Sequence, residues 1–229
     1  SIAEAGGGVE NEGFWGIHAQ NGHQYRLSFW VRALQGNPGL LTASLVNKDG
    51  RVLGQVVIVD KIGKKWQKVE ARFVCTEDDA RAAFRLTTER PCQLALDVVS
   101  LFPPTFKNRE NGCRPQLAQM LADIHPKFMR FPGGCYVEGQ EAPENAFHWE
   151  RTVGPVEERP GHYDANWRYW TTDGLGFHEF LQLSEDLGAK PLYVVNVGIW
   201  HGGFTPVEEL DGWIQECMDA LEYAIGDAK

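Results

Sequence analysis

Between Gly133 and Asp173 the sequence gathers Glu138, Glu141, Glu144, Glu157, Glu158 and Asp173 among Trp149, Trp167, Tyr169, Trp170, Arg159 and His162. Two carboxyls held at a fixed separation can serve as acid/base and nucleophile at a glycosidic carbon. Aromatic faces stack on the C–H surface of a sugar, so this mixture has the character of a carbohydrate-binding rim. The plainer account of each acid taken singly is a solvated surface group, with Glu157 and Glu158 pairing with nearby arginines. No carboxylate stands at a strand end beside a partner that would fix its proton, so no catalytic pair is assigned.

The elements that must position this segment are readable on both sides of it. Lys127-Phe128-Met129 is a short strand run that continues into Arg130-Phe131-Pro132-Gly133-Gly134-Cys135-Tyr136-Val137-Glu138-Gly139. Strand, glycine turn and long polar loop, in that order, is how an α/β barrel builds its active-site rim. About 40 residues then separate the strand from its return helix, where 2–6 are usual, and connections of that length are commonly functional. A second apolar strand, Pro191-Leu192-Tyr193-Val194-Val195-Asn196, ends in an amide. Asn196 there can reach a sugar or a catalytic acid in the barrel mouth, or simply cap a turn. Strands apolar on both faces and alternating with helices indicate a parallel sheet.

The helices follow from the 3.6-residue rhythm. Arg114 to His125 carries Leu117, Met120, Leu121 and Ile124 on one stripe, with Pro115 in the first turn. Gly174 to Leu187 carries Phe177, Phe180 and Leu181, and Gly188 ends it. Thr205-Pro206-Val207-Glu208 has the form of a capping box, followed by an apolar face of Leu210, Trp213, Ile214, Cys217, Met218 and Leu221.

Residues from about 9 to 102 have a different rhythm. Segments 25–32 and 66–73 alternate apolar and polar side chains, and further strands are expected near 41–47, 52–59, 82–88 and 93–102. Asn21-Gly22, Asn37-Pro38-Gly39 and Asp49-Gly50 punctuate them. The expected architecture is a β-sandwich of jelly-roll type over 1–102, then α/β over 103–229 as part of a (β/α)8 TIM barrel. A closed barrel needs about 250 residues, more than follow the sandwich, so the chain reads as part of something longer that alone would expose apolar edges and helix faces. It begins at Ser1 without a visible signal peptide, and its natural N-terminus is expected upstream.

Composition narrows the function. A net charge of −9 over 229 residues argues against a nucleic-acid partner, and no apolar run approaches the roughly 20 residues that span a bilayer. Eight tryptophans and 11% aromatic residues weakly favour a carbohydrate ligand, with core packing the better account of any single Trp. The five cysteines lack metal-ligand spacing, and no metal or cofactor is expected. Cys75 and Cys92 lie in neighbouring predicted strands and could pair; buried free thiols are the alternative. Nothing orients a histidine toward Cys135, which argues against a nucleophilic thiol. Phosphate loops, dinucleotide fingerprints and Ser-His-Asp arrangements are absent.

Four stretches carry a family resemblance: Arg130 to Gly139, Gly154-Pro155-Val156-Glu157-Glu158-Arg159-Pro160-Gly161, Thr172 to Phe180, and Tyr193 to Gly198. Together they resemble glycoside hydrolase family 51, the α-L-arabinofuranosidases. Asn11-Glu12-Gly13-Phe14-Trp15-Gly16 and Asp97 to Pro103 resemble the carbohydrate-binding-module-like domain that one branch inserts after its first barrel strand. Asn11-Glu12 also looks like the Asn-Glu dipeptide of many retaining glycosidases, but its place in the sandwich makes it a decoy. The resemblance implies a retaining mechanism with both catalytic glutamates downstream of Lys229, and a first strand with a substrate-contacting glutamate upstream of Ser1. It implies substrate-positioning roles for four residues here. Cys135 stands where many members have Asn, so its contact to the furanose would be weaker. Trp167 matches a subsite wall, Asn196 the amide near the catalytic centre, and Arg130 an orienting cation paired with a barrel carboxylate. The implied partner is an arabinose-containing polysaccharide or oligosaccharide, a homo-oligomer is compatible with it, and a secreted or periplasmic location is favoured over a cytoplasmic one. A pure binding module, with Trp15, Trp30 and Trp66 as a candidate aromatic row, is the rival of another class; a glycosidase acting on a β-glucan or xyloside is the other alternative.

Overall fold

The computed structural model describes residues 1–59 and 61–226 and divides the chain after Pro104 into two compact units. In the first, β1 (Gly8–Asn11), β2 (Ile17–Ala19), β4 (Leu41–Val46), β5 (Val52–Ile58) and β7 (Asp79–Thr88) form one antiparallel sheet in the order β1-β7-β4-β5, with β2 also on β7. β3 (Gln24–Gln35), β6 (Gln67–Val74) and β8 (Gln93–Phe102) form the other, with β3 in the centre. The predicted strands are found within a few residues of their expected ends.

Alternation explains why β3 is central. Tyr25, Leu27, Phe29 and Val31 all point inward and are at most 2% exposed, meeting Leu41, Leu45, Val69, Phe73 and Phe84 in one core. The Tyr25 ring stacks on Phe73, and its hydroxyl donates to His18 O at 2.7 Å and accepts from Gln20 N–H at 3.2 Å. A buried phenol needs those partners. Trp30 faces outward on β3, opposite Lys68 and Asp97. Trp66 lies under the Arg32 guanidinium at 4.9 Å, and Trp15 is 83% exposed on the β1–β2 connection. Cys75 and Cys92 are separate buried thiols, so the disulfide alternative falls away.

The second unit contains α1 (Pro115–Asp123), β9 (Phe128–Phe131), α2 (Cys135–Glu138), β10 (His162–Asp164), β11 (Tyr169–Thr171), α3 (Phe177–Leu187), β12 (Lys190–Tyr193), β13 (Ile199–Trp200), β14 (Gly203–Phe204) and α4 (Asp211–Ile225). β9 and β12 pair in parallel, with Phe131 opposite Tyr193, as two neighbouring barrel strands do. Pro115 occupies the first turn of α1, and Gly188 ends α3 in the left-handed region at φ 67°, ψ 24°, where a side chain would be strained.

One helix expectation changes, and the exposed helix faces expected of this chain are present. The Thr205 capping box does not form: a 3-10 turn at Val207–Glu209 precedes α4, and the Thr205 hydroxyl accepts from Trp213 Nε1 at 3.0 Å instead. The apolar stripe of α1 is exposed, with Leu117, Met120, Leu121 and Ile124 between 47% and 72% accessible and only Ala118 buried. On α4 the predicted face divides: Leu210, Trp213 and Cys217 are half-buried, while Ile214, Met218 and Leu221 stay exposed; Ala220, outside that face, is the buried residue. Of the expected helix end at 224–229, residues 227–229 lie outside the described residues.

Candidate substrate-binding site

The chain leaves β9 through a cis Phe131–Pro132 bond and turns on Gly133 and Gly134. Gly133 is buried at φ +78°, and a Cβ there would lie 2.1 Å from a guanidinium nitrogen of Arg130. The positive φ is what favours glycine there, with the flexible Arg130 guanidinium folded over it. Among the described residues no carboxylate pairs with Arg130. Cys135 opens α2 and is half-buried.

The 133–173 connection is folded rather than open. It contains α2, several 3-10 turns and the β10–β11 hairpin, in which Tyr163 pairs with Trp170 and Asp164 with Tyr169. The hairpin is bolted beside the strand end: Asn166 Nδ2 donates to Cys135 O at 2.9 Å, and buried Asp164 accepts from Trp167 N–H at 3.0 Å. Trp167, Tyr169 and Trp170 are 61%, 47% and 64% exposed, giving the hairpin an aromatic surface. Trp149, predicted for that rim, is instead buried against Phe177 and Tyr223 and donates to Glu216 O.

Beneath the hairpin lies a polar network. Asp173 is buried, with His162 Nδ1 3.0 Å away and the Tyr136 hydroxyl donating at 3.5 Å. Burial, reinforced by the Asp173 charge, pushes the Tyr136 phenol well above its ordinary range and keeps it neutral. The Arg159 side chain is buried as well. It donates to both Glu179 oxygens at 2.8 and 3.1 Å and to the carbonyls of Gly154 and Asp173. Glu179 also accepts from Asn111 and from Gly176 N–H at the start of α3. Burial alone would raise the Glu179 carboxyl, but these donors together hold it below its ordinary value.

Asn196 is buried and its amide is engaged at both ends. Oδ1 accepts from Gly198 and Ile199 N–H at 2.8 and 2.9 Å, while Nδ2 donates to Val137 O at 3.0 Å. The turn role is thus the one seen, and it ties the mouth of β12 to α2. Sequence reasoning placed Arg159, His162 and Asp173 in the rim without finding their partners. Glu179 at the third position of α3 was the available signal for a helix-start carboxylate.

An antiparallel sandwich followed by an α/β unit with a parallel strand pair and a glycine turn defines the fold class, a β-sandwich joined to part of an α/β barrel. Comparison with known proteins makes this specific. Residues 120–229 match the model of the alpha-L-arabinofuranosidase 1 domain, and residues 8–93 that of a carbohydrate binding domain. Alpha-L-arabinofuranosidase 1 of Arabidopsis thaliana is 42% identical over 97% of this chain and 33% of its own length. Alpha-L-arabinofuranosidase A of Aspergillus kawachii is 36% identical over 96% of this chain and 36% of its own. The solved structure of an arabinose-bound GH51 α-L-arabinofuranosidase superposes with a TM-score of 0.89 at 36% identity, covering 99% of this chain and 38% of that one. Over nearly its whole length the chain is similar to the N-terminal part of the α-L-arabinofuranosidases of glycoside hydrolase family 51. It spans about a third of the length of the curated relatives it matches.

Proposed function

We propose that the protein containing this chain is a retaining exo-α-L-arabinofuranosidase that releases terminal arabinofuranose from arabinan or arabinoxylan side chains. In this reading the chain positions substrate, and the two catalytic glutamates lie on barrel strands beyond it. A retaining pair stands about 5–5.5 Å apart, so that one carboxyl forms the covalent glycosyl-enzyme while the other passes the proton. The observation that carries the proposal is the joint of β9 to the hairpin. One hydrogen bond from Asn166 fixes the Cys135 turn beside the Trp167 surface, which is the arrangement needed to grip a small ring from its edge and its face.

The four positions divide by what they touch. Cys135 and Trp167 meet the sugar directly; Arg130 orients the layer over Gly133; Asn196 acts by holding the 196–199 turn against α2. A thiol is a weak donor and acceptor, whereas an amide offers two of each. Cys135→Asn in the whole protein is therefore expected to lower KM for an aryl α-L-arabinofuranoside several-fold, since one added hydrogen bond contributes about 1 kcal/mol. An unchanged KM with a correctly folded variant removes Cys135 from the site.

A further inference from the structure

We propose that His148, Glu150 and Glu216 form a divalent-metal site, best suited to Zn²⁺, that joins the 133–173 connection to α4. One ligand atom from each of the three lies within 4.8 Å of the other two. Positions 148, 150 and 216 make no sequence motif, and only folding brings the last of them to the first two.

The hydrogen bonding shows why a cation is wanted there. His148 Nε2 lies 3.2 Å from Pro143 O, an atom that can only accept, so Nε2 carries the ring proton. Nδ1 then faces both oxygens of Glu216, at 3.0 and 3.3 Å. In the neutral ring that is a lone pair aimed at a carboxylate, and a carboxylate oxygen of Glu150 lies within 4.8 Å of both. Three acceptors converge. A proton on His148 satisfies one pair of them, whereas a metal ion satisfies all three.

The supporting groups resemble those of metal-bound imidazoles, whose second nitrogen donates to a carbonyl that fixes tautomer and ring orientation. The Pro143 carbonyl does this for His148, and the Trp213 ring stacks on it at 5.4 Å between centroids and 24° between planes. Trp149 Nε1 holds the Glu216 backbone at 3.0 Å. Tetrahedral zinc with bonds of about 2.0–2.2 Å separates its ligand atoms by roughly 3.3–3.5 Å, so the His148–Glu216 contact need open by only a few tenths of an ångström. One nitrogen and two carboxylates leave a fourth position for water. Calcium and magnesium prefer six or more oxygens, which this site does not offer. Arg151 is the neighbouring positive charge that opposes a cation here. The same two glutamates do not serve as a glycosidase pair: they lie on a connection and on α4 rather than at strand ends.

The test uses the whole protein, stripped with a chelator and titrated calorimetrically with Zn²⁺, with Ca²⁺ in parallel. Wild type is expected to bind one more equivalent of Zn²⁺ than His148→Ala, and to show no matching Ca²⁺ heat. Glu150 is exposed, so Glu150→Gln keeps the fold; it should weaken that equivalent about tenfold or more. Equal zinc stoichiometry and affinity in wild type and Glu150→Gln would overturn the proposal. So would absence of zinc binding by wild type, which would leave a proton on His148 as the cation of the cluster.

Discussion

Arg159→Ala is expected to cost the α/β unit about 3–5 kcal/mol, the usual penalty for removing one partner of a buried ion pair. Side-chain exposures of 3% and 7% put Arg159 and Glu179 out of reach of water. The variant leaves Glu179 charged with only Asn111 and the Gly176 N–H, and it strips donors from Gly154 O and Asp173 O. Arg159→Lys restores charge without the two-pronged geometry and should fall between. The pH dependence has a definite sign. Glu179 has a folded value below its unfolded value of about 4.5, so its contribution is full above that pH and is lost as pH falls through the folded value. The gap between wild type and Arg159→Ala should therefore narrow in acid. Urea unfolding monitored at pH 7 and below 4 measures both; a gap that stays constant would mean that the pair does not set the local stability.

Phe177→Ala should cost about 3–5 kcal/mol as well, for a different reason: an aromatic ring removed from a close-packed core leaves a cavity. Phe177 is 1% exposed, with ring centroids of Tyr193, Trp149, Tyr223 and Phe131 at 4.7, 5.2, 5.8 and 6.0 Å. Two of those rings, Phe131 and Tyr193, end the paired strands β9 and β12. The cavity would thus open under the turn that carries Cys135, and KM should rise together with the loss of stability. Phe177→Leu should recover part of both. A stable Phe177→Ala variant with altered KM would show that the ring positions the site without supporting the fold.

The sandwich was legible because its strands carry a two-residue alternation whose inward half, Tyr25 to Val31, becomes the core. The α/β elements were legible from helix periodicity, Pro115 and Gly188. What the sequence did not disclose were pairings between residues distant along the chain. Arg159 with Glu179, His162 with Asp173 and His148 with Glu216 depend on how the 133–173 connection folds back, and no local pattern encodes that. Trp149 shows the same limit: its neighbours in sequence are polar, yet its neighbours in space are Phe177 and Tyr223. Asn196, expected at the strand end, lies three residues past β12, where its amide accepts from backbone N–H groups only two and three residues away. The exposed stripes of α1 and α4 have a simpler origin. Apolar faces written at helical spacing are present, and they stay exposed among the described residues.

The most direct test of the account compares the 229-residue chain with the whole protein on an aryl α-L-arabinofuranoside, following the anomeric form of the released sugar. The account predicts turnover by the whole protein with retention of configuration, and none by the chain alone. Turnover by the isolated chain at enzyme-like rates would contradict it, because a bond-breaking pair would then have to lie among the residues assigned here only to holding the sugar.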